Sequence, residues 1–151
     1  MDRLLLCACL VPALATLWAG RPPQEPAAEP PRANLAIVAV PSTSYVSGHE
    51  TLEAVNDGLT PRRSRDSSQG AYGNWPRRGT QWLQYDWPVP VRVDRVEVYW
   101  YIDGRGLHAP AAARLTTWDG SEWTEVEGGL GLEADRFNAL DFAPVETTRL
   151  R

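Results

Sequence analysis

Between residues 91 and 102 the chain reads VRVDRVEVYWYI, with Val96, Val98 and Trp100 alternating with Glu97, Tyr99 and Tyr101. A side-chain period of two is what a strand shows when one face packs on a core and the other meets water. Such a strand needs partners, and the chain offers short β-favouring runs rather than long amphipathic helices. Residues 35–40 are apolar and end at Pro41, while QWLQYDW over 81–87 sets Trp82, Gln84 and Asp86 on one face and Leu83, Tyr85 and Trp87 on the other. Runs over 113–118 and 122–126 flank Asp119-Gly120-Ser121, a tight hairpin turn. Residues 140–142 and 147–151 add two short candidates. Strands at this spacing, split by Gly, Pro and Asp turns, imply an all-β sandwich or barrel.

The strands begin only after residue 33. Met1-Asp2-Arg3 precedes an uncharged run over 4–20, the charged and apolar regions of a secretory leader, with Ala13-Leu14-Ala15 as a cleavage pattern. The run falls short of the ~20 residues of a spanning helix, so residues 1–20 read as a signal peptide, with a retained N-terminal anchor as the alternative. Leu6-Cys7-Ala8-Cys9 also resembles a lipoprotein box with Cys9 as the lipidated residue. RPPQEPAAEPPR then makes 21–33 an extended, semi-rigid spacer, which leaves 34–151 as the folded module. Both cysteines lie in the leader, so the exported module folds on its core without disulfides. The net charge of −4 carries no basic concentration of the kind nucleic acids or anionic membrane surfaces require.

Five ordered segments carry a resemblance: NLA at 34–36, SYVSGHETLEAVNDG at 44–58, RRGTQWLQYDW at 77–87, VDRVEVYWYIDGRG at 93–106 and ARLTTWDGSEWTEV at 113–126. Together they resemble a discoidin-like domain, the coagulation-factor C-type, galactose-binding-like jelly-roll β-sandwich. They are most similar to the accessory module of secreted bacterial β-L-arabinofuranosidase-like glycosidases. The resemblance implies a non-catalytic module that meets ligands through loops at one end of the sandwich. It also implies a closing strand past residue 151, so the expectation is a sandwich lacking its last strand, with TTRLR at 147–151 a strand just begun. That missing strand commonly bears a carboxylate which, with the Asp of an N-D-G turn, holds a structural Ca²⁺. Asp57 matches the turn, and the distal carboxylate has no match.

His49-Glu50 opens like the zinc signature H-E-x-x-H, but its fifth position is Glu53 and the only other histidine is His108, so the ligand set of a zinc site is missing. The pair reads instead as scaffold: Ser47 caps a helical turn with Glu50 in capping-box position, Leu52 and Val55 face inward, and Asn56-Asp57-Gly58 ends the turn. Asp57 is then the metal candidate, as a Ca²⁺ ligand, against an Asx turn closed on its own backbone. No motif selects a carboxylate pair or an activated nucleophile, so the module reads as no enzyme.

Sugar recognition needs aromatic faces and a few fixed polar groups. The loops over 69–79 and 102–110 are rich in both: Tyr72, Trp75, Arg77 and Arg78 on the first, Tyr101, Asp103, Arg105 and His108 on or beside the second. Trp118 also lies beside a turn, whereas Trp82, Trp87, Trp100 and Trp123 read as core or turn packing and Arg62 to Asp66 as a solvated loop. The functional expectation is an exported, tethered carbohydrate-binding module serving a glycosidase system, with a polysaccharide or glycan as ligand. The alternative is a structural or protein-interaction sandwich that packs against a catalytic domain.

Overall fold

The computed structural model describes residues 32–64, 66 and 68–151, and the leader with nearly all of the spacer lies outside them. Residues Ala33–Arg151 form one compact unit. The architecture is all-β: strands β1 (Val40–Thr43), β2 (Leu83–Tyr99), β3 (Thr116–Trp118), β4 (Trp123–Glu125) and β5 (Phe137–Leu150) make one antiparallel sheet in the order β1-β2-β5-β3-β4. No helix among the described residues is long and apolar enough to cross a membrane.

The alternation read from 81–87 holds in space. Tyr85 and Trp87 turn to the core, where Trp87 joins buried Ala39, Val93, Leu115, Leu140 and Leu150. Gln84 and Asp86 turn to the opposite face and meet Arg151 and Arg149. Segments without strand hydrogen bonds cover the core face. Tyr85 donates to the Val55 carbonyl (2.8 Å) and Trp87 Nε1 to the Leu35 carbonyl (2.9 Å), so two aromatic side chains tie the sheet to the segments that precede it.

Four expectations are corrected. The run 35–40 is strand only at its last residue, Val40: Leu35–Val38 is a 3₁₀ turn, because Asn34 Oδ1 accepts the Ala36 amide and starts the chain on a turn. Pro41 does not end the strand but lies inside β1, a position open to proline because an edge strand pairs on one side only. The runs at 81–87 and 91–102 are one strand of 17 residues, whose pairing with β5 shifts register between Asp86 and Val91, across Pro88-Val89-Pro90, so the prolines mark an irregularity and not a break. Likewise 140–142 and 147–151 belong to the single 14-residue β5, which pairs β2 on one side and β3 on the other. The run TTRLR is therefore the far end of a central strand and not a strand just begun.

The capping box is also corrected. Ser47 accepts the His49 amide on Oγ (3.3 Å) and the Glu50 amide on its carbonyl (3.3 Å), a local turn rather than a helix start. The only helical residues of that segment are the 3₁₀ turn Glu53–Val55, whose N-cap Leu52 has no capping side chain. Asn56 and Gly58 (φ 77°) do end it, as the N-D-G spelling implied. The hairpin at Asp119 forms as read, with Asp119 Oδ1 accepting the amides of Ser121 (2.7 Å) and Glu122 (2.9 Å).

Candidate functional site

The two loops singled out by composition meet at Gly73. Ser47 N donates to the Gly73 carbonyl (2.9 Å) and Thr51 N to the Ala71 carbonyl (3.0 Å), so residues 47–51 run alongside 71–73. A Cβ on Gly73 would stand 2.7 Å from Leu107 Cδ2 and 3.2 Å from both Glu50 Cγ and Cδ. Only a residue without a side chain lets the segments around 50, 73 and 107 approach this closely. Three stretches far apart in sequence thus share one surface.

Two residues on, Trp75 leaves this junction with 54% of its surface exposed. Its ring packs at 43° on His49, with centroids 5.8 Å apart, so one side of the indole is braced. Beside His49, the Glu50 carboxylate packs against Gly73, and its Oε2 is shut off from solvent with no hydrogen-bond donor. A carboxylate oxygen that is covered and unpaired is costly, because it has lost water and gained nothing in exchange. Nearby, the Arg77 guanidinium lies over the Tyr45 ring, 4.7 Å from its centroid.

The second loop is shaped by Asp103. Its Oδ1 accepts the amides of Arg105 (2.7 Å), Gly106 (2.9 Å) and Leu107 (3.0 Å). Those donors, Arg105 foremost, then Leu107 and Gly106, pull the carboxyl from 3.8 down to about 2. Asp103 is thereby a loop organiser that delivers Leu107 to Gly73. Tyr72 is also used internally: its hydroxyl lies 2.6 Å from Thr43 Oγ1 and 3.2 Å from the Tyr45 carbonyl. Tyr101 is half-buried, Arg105 and His108 are exposed, and Arg78 is exposed with its carbonyl accepting from Gln81 Nε2 (3.3 Å). The structure therefore unites Trp75 and Leu107 with His49 and Glu50. These last two had been read as scaffold because only the zinc spacing was tested on them.

Asp57 accepts the Leu59 amide on Oδ1 (2.8 Å), an Asx turn. Among the described residues no three His, Cys, Asp or Glu side chains stand together as a metal set. The partner carboxylate that the resemblance implies is thus not assembled among them, and a cation at Asp57 would draw on backbone carbonyls.

Two further places bear on the site's identity. The outer face of the sheet carries an aromatic and cationic ladder. The Arg151 guanidinium lies 4.7 Å from the Trp82 ring centroid and 4.4 Å from that of Trp123, and Nη2 donates to Gln84 Oε1 (2.7 Å). Trp123 in turn packs on Trp118 (5.5 Å), over which Arg149 lies at 5.5 Å while also pairing with Asp86 (3.1 Å). Trp82 lies on the face of Gln84 and Asp86 and Trp123 packs beside the hairpin turn, both outside the core, whereas Trp87 is buried in it, in keeping with the reading of these residues as core or turn packing. Because the arginines already occupy ring faces, this ladder reads as sheet structure. The other place is a cleft of about 460 Å³ lined by Arg63, Ser64, Ile102 and Asp135. Asp135, at φ 65°, holds Ser64 N and the Tyr99 hydroxyl on the same oxygen, which locks the walls of that cleft together.

No protein-family model matches the chain, and no curated protein matches it. Among solved structures the chain is similar to chitosan-binding module 1 derived from a chitosanase/glucanase of Paenibacillus sp. IK-5. The TM-score is 0.55 at 17% identity, over 79% of this chain and 83% of that one. At that identity the likeness speaks for the fold, and residues 32–151 share the all-β fold of that module.

Proposed function

We propose that the chain is a non-catalytic carbohydrate-binding module that presents the surface around Gly73 to a glycan. The carrying observation is Trp75, a half-exposed indole braced from one side by His49 at the meeting point of three loops. A sugar ring stacks its apolar face on such an indole, and the surrounding polar groups fix its hydroxyls. The fold shared with a module described as chitosan-binding supports the reading. The leader over 1–20 and the Pro-rich spacer over 21–33 add that the module is exported and tethered, and the discoidin-like resemblance adds that it serves a glycosidase system as an accessory. A structural Ca²⁺ at Asp57 belongs to the proposal as a cage of turn carbonyls, and a calcium-dependent rise in melting temperature tests it.

Affinity is modest, because a shallow loop surface buries little area and orders its side chains on binding. Isothermal titration of the full chain against a panel of plant, fungal and bacterial polysaccharides tests the proposal. Binding heat that Trp75→Ala abolishes supports it, and no heat with any glycan sinks it.

A second reading, packing against a catalytic domain, draws on exposed apolar residues around β1. Ile37 (53%), Val38 (66%), Val40 (67%) and Leu59 (56%) all stand open to solvent. Association with a glycosidase domain that Val38→Glu and Val40→Glu abolish, with glycan binding intact, would establish that role.

A further inference from the structure

We infer that the glycan met by the Gly73 surface is acidic, with a uronic-acid carboxylate held by Arg77. The inference rests on the carbohydrate-binding reading and names the chemistry of one contact. Arg77 and Trp75 leave the same turn, closed by Arg77 N on the Asn74 carbonyl (2.8 Å). Both residues are exposed, and each rests on a ring from the segment 45–49: Trp75 on His49, and Arg77 on Tyr45, with the guanidinium carbon 4.7 Å from the ring centroid. A ring face places a guanidinium but leaves its capacity to bind oxygen acceptors unfilled. Among the described residues no oxygen acceptor is bonded to that of Arg77.

Comparison with the other arginines sets this one apart. Arg149 and Arg151 also lie over rings, but Arg149 pairs with Asp86 (3.1 Å) and Arg151 donates to Gln84 Oε1 (2.7 Å). Arg62, Arg63, Arg78, Arg92 and Arg105 have no carboxylate either, yet no ring holds them, so they are ordinary solvated charges. Acids on the converging segments leave Arg77 alone: Asp103 takes three amides, Glu53 takes the Thr51 hydroxyl, and Glu50 is packed on Gly73. A guanidinium already in place meets a carboxylate with two parallel N–H···O bonds and loses less freedom on binding than a loose side chain does. A sugar ring resting on Trp75 with its carboxylate on Arg77 uses both groups at once. A neutral hydroxyl or an ester accepts only the weaker, uncharged bond. One such cation is not the basic stripe that nucleic acids require, in keeping with the net charge of −4; it selects a single carboxylate.

The test is calorimetric titration of the full chain with tetrasaccharides of galacturonate and of mannuronate, each as the free acid and as its full methyl ester. The expected result is that at least one acid binds about tenfold or more tighter than its ester. Arg77→Ala brings acid and ester together, whereas Arg92→Ala, which removes an exposed arginine of β2 away from the site, leaves the preference intact. Equal affinity for acid and ester in both pairs overturns the uronate inference while leaving carbohydrate binding standing, and so does a preference that Arg77→Ala does not change. No response to any of the four probes overturns the inference, and no response to any other glycan as well overturns both. The comparison of acid with ester on the unsubstituted protein stands even where a variant folds poorly.

Discussion

Replacing Gly73 with alanine tests whether the three loops converge as described. The new Cβ would sit 2.7 Å from Leu107 Cδ2, inside the distance any carbon contact tolerates, and 3.2 Å from two carbons of Glu50. Leu107 meets it with a terminal methyl, which a rotamer change can withdraw, while Glu50 must yield by a few tenths of an ångström. The cost therefore falls at the low end for overpacking, about 1 kcal/mol. For a unit of this size that corresponds to roughly 3–6 °C in melting temperature. The assay is thermal unfolding of four proteins: the unsubstituted chain, Gly73→Ala, Leu107→Ala and the double variant. Leu107→Ala removes the methyl that the new Cβ meets, so the double variant loses less than the sum of the singles, by about 0.5 kcal/mol or more. Glycan binding weakens in Gly73→Ala, because Glu50 is displaced with Leu107. Unchanged melting in Gly73→Ala, or strict additivity in the double variant, would refute the convergence.

Three other expectations follow from single residues. Asp103 has its folded-state pKa depressed from 3.8 to about 2, so its contribution is present above the unfolded pKa and is lost as pH falls from about 4 through 2; Asp103→Asn flattens that part of the melting-temperature profile relative to the unsubstituted protein. Asn138, 6% exposed, accepts Glu133 N and donates to the carbonyls of Glu133 and Arg136, so Asn138→Ala costs about 3 kcal/mol by leaving those groups unpaired, read as a lower denaturant midpoint. Arg151→Ala frees the facing rings of Trp82 and Trp123 at a cost of about 1 kcal/mol, shifts tryptophan emission and leaves glycan affinity unchanged; Arg151→Lys restores part of the stability.

The fold class was legible because strands announce themselves through alternation, and the faces of 81–87 were assigned correctly down to Gln84 and Trp87. What alternation could not show was continuity. Pro88 and Pro90 spell a break, yet β2 carries them through a register shift, a tertiary outcome that no local pattern encodes. In β5 polar Asn138 and Thr147 are buried while Phe137, Ala139 and Ala143 are exposed, and Pro144 interrupts the run, so a central strand read as two fragments. Residues 35–38 looked like a strand because their composition is apolar and β-branched, while one Asn34 side chain, bonded to a backbone amide, set a 3₁₀ turn.

The site divides in the same way. Trp75 was visible as an aromatic in a loop rich in Gly, Pro and Arg. His49 and Glu50 were not, because their part depends on Gly73 admitting residues 23 positions apart in sequence, a contact made through missing atoms rather than present ones. The spelling that does hint at it is Gly73-Asn74-Trp75, a residue without a side chain placed two before an exposed ring. Asp103 was read as a ligand contact from its charge and loop position, whereas its three amide donors make it a loop organiser.

Indole resonances separate the account from its rivals most directly. In a ¹⁵N–¹H titration of the full chain with a galacturonate tetrasaccharide, the account predicts a saturable shift of the Trp75 indole Nε1–H and of backbone amides at 47–50, 73–75 and 105–108. The indoles of Trp118 and Trp123 on the outer sheet face stay in place. Shifts confined to Trp118 and Trp123 would contradict the account by moving the ligand to the sheet face, and no shift with this or any other glycan would contradict carbohydrate binding itself.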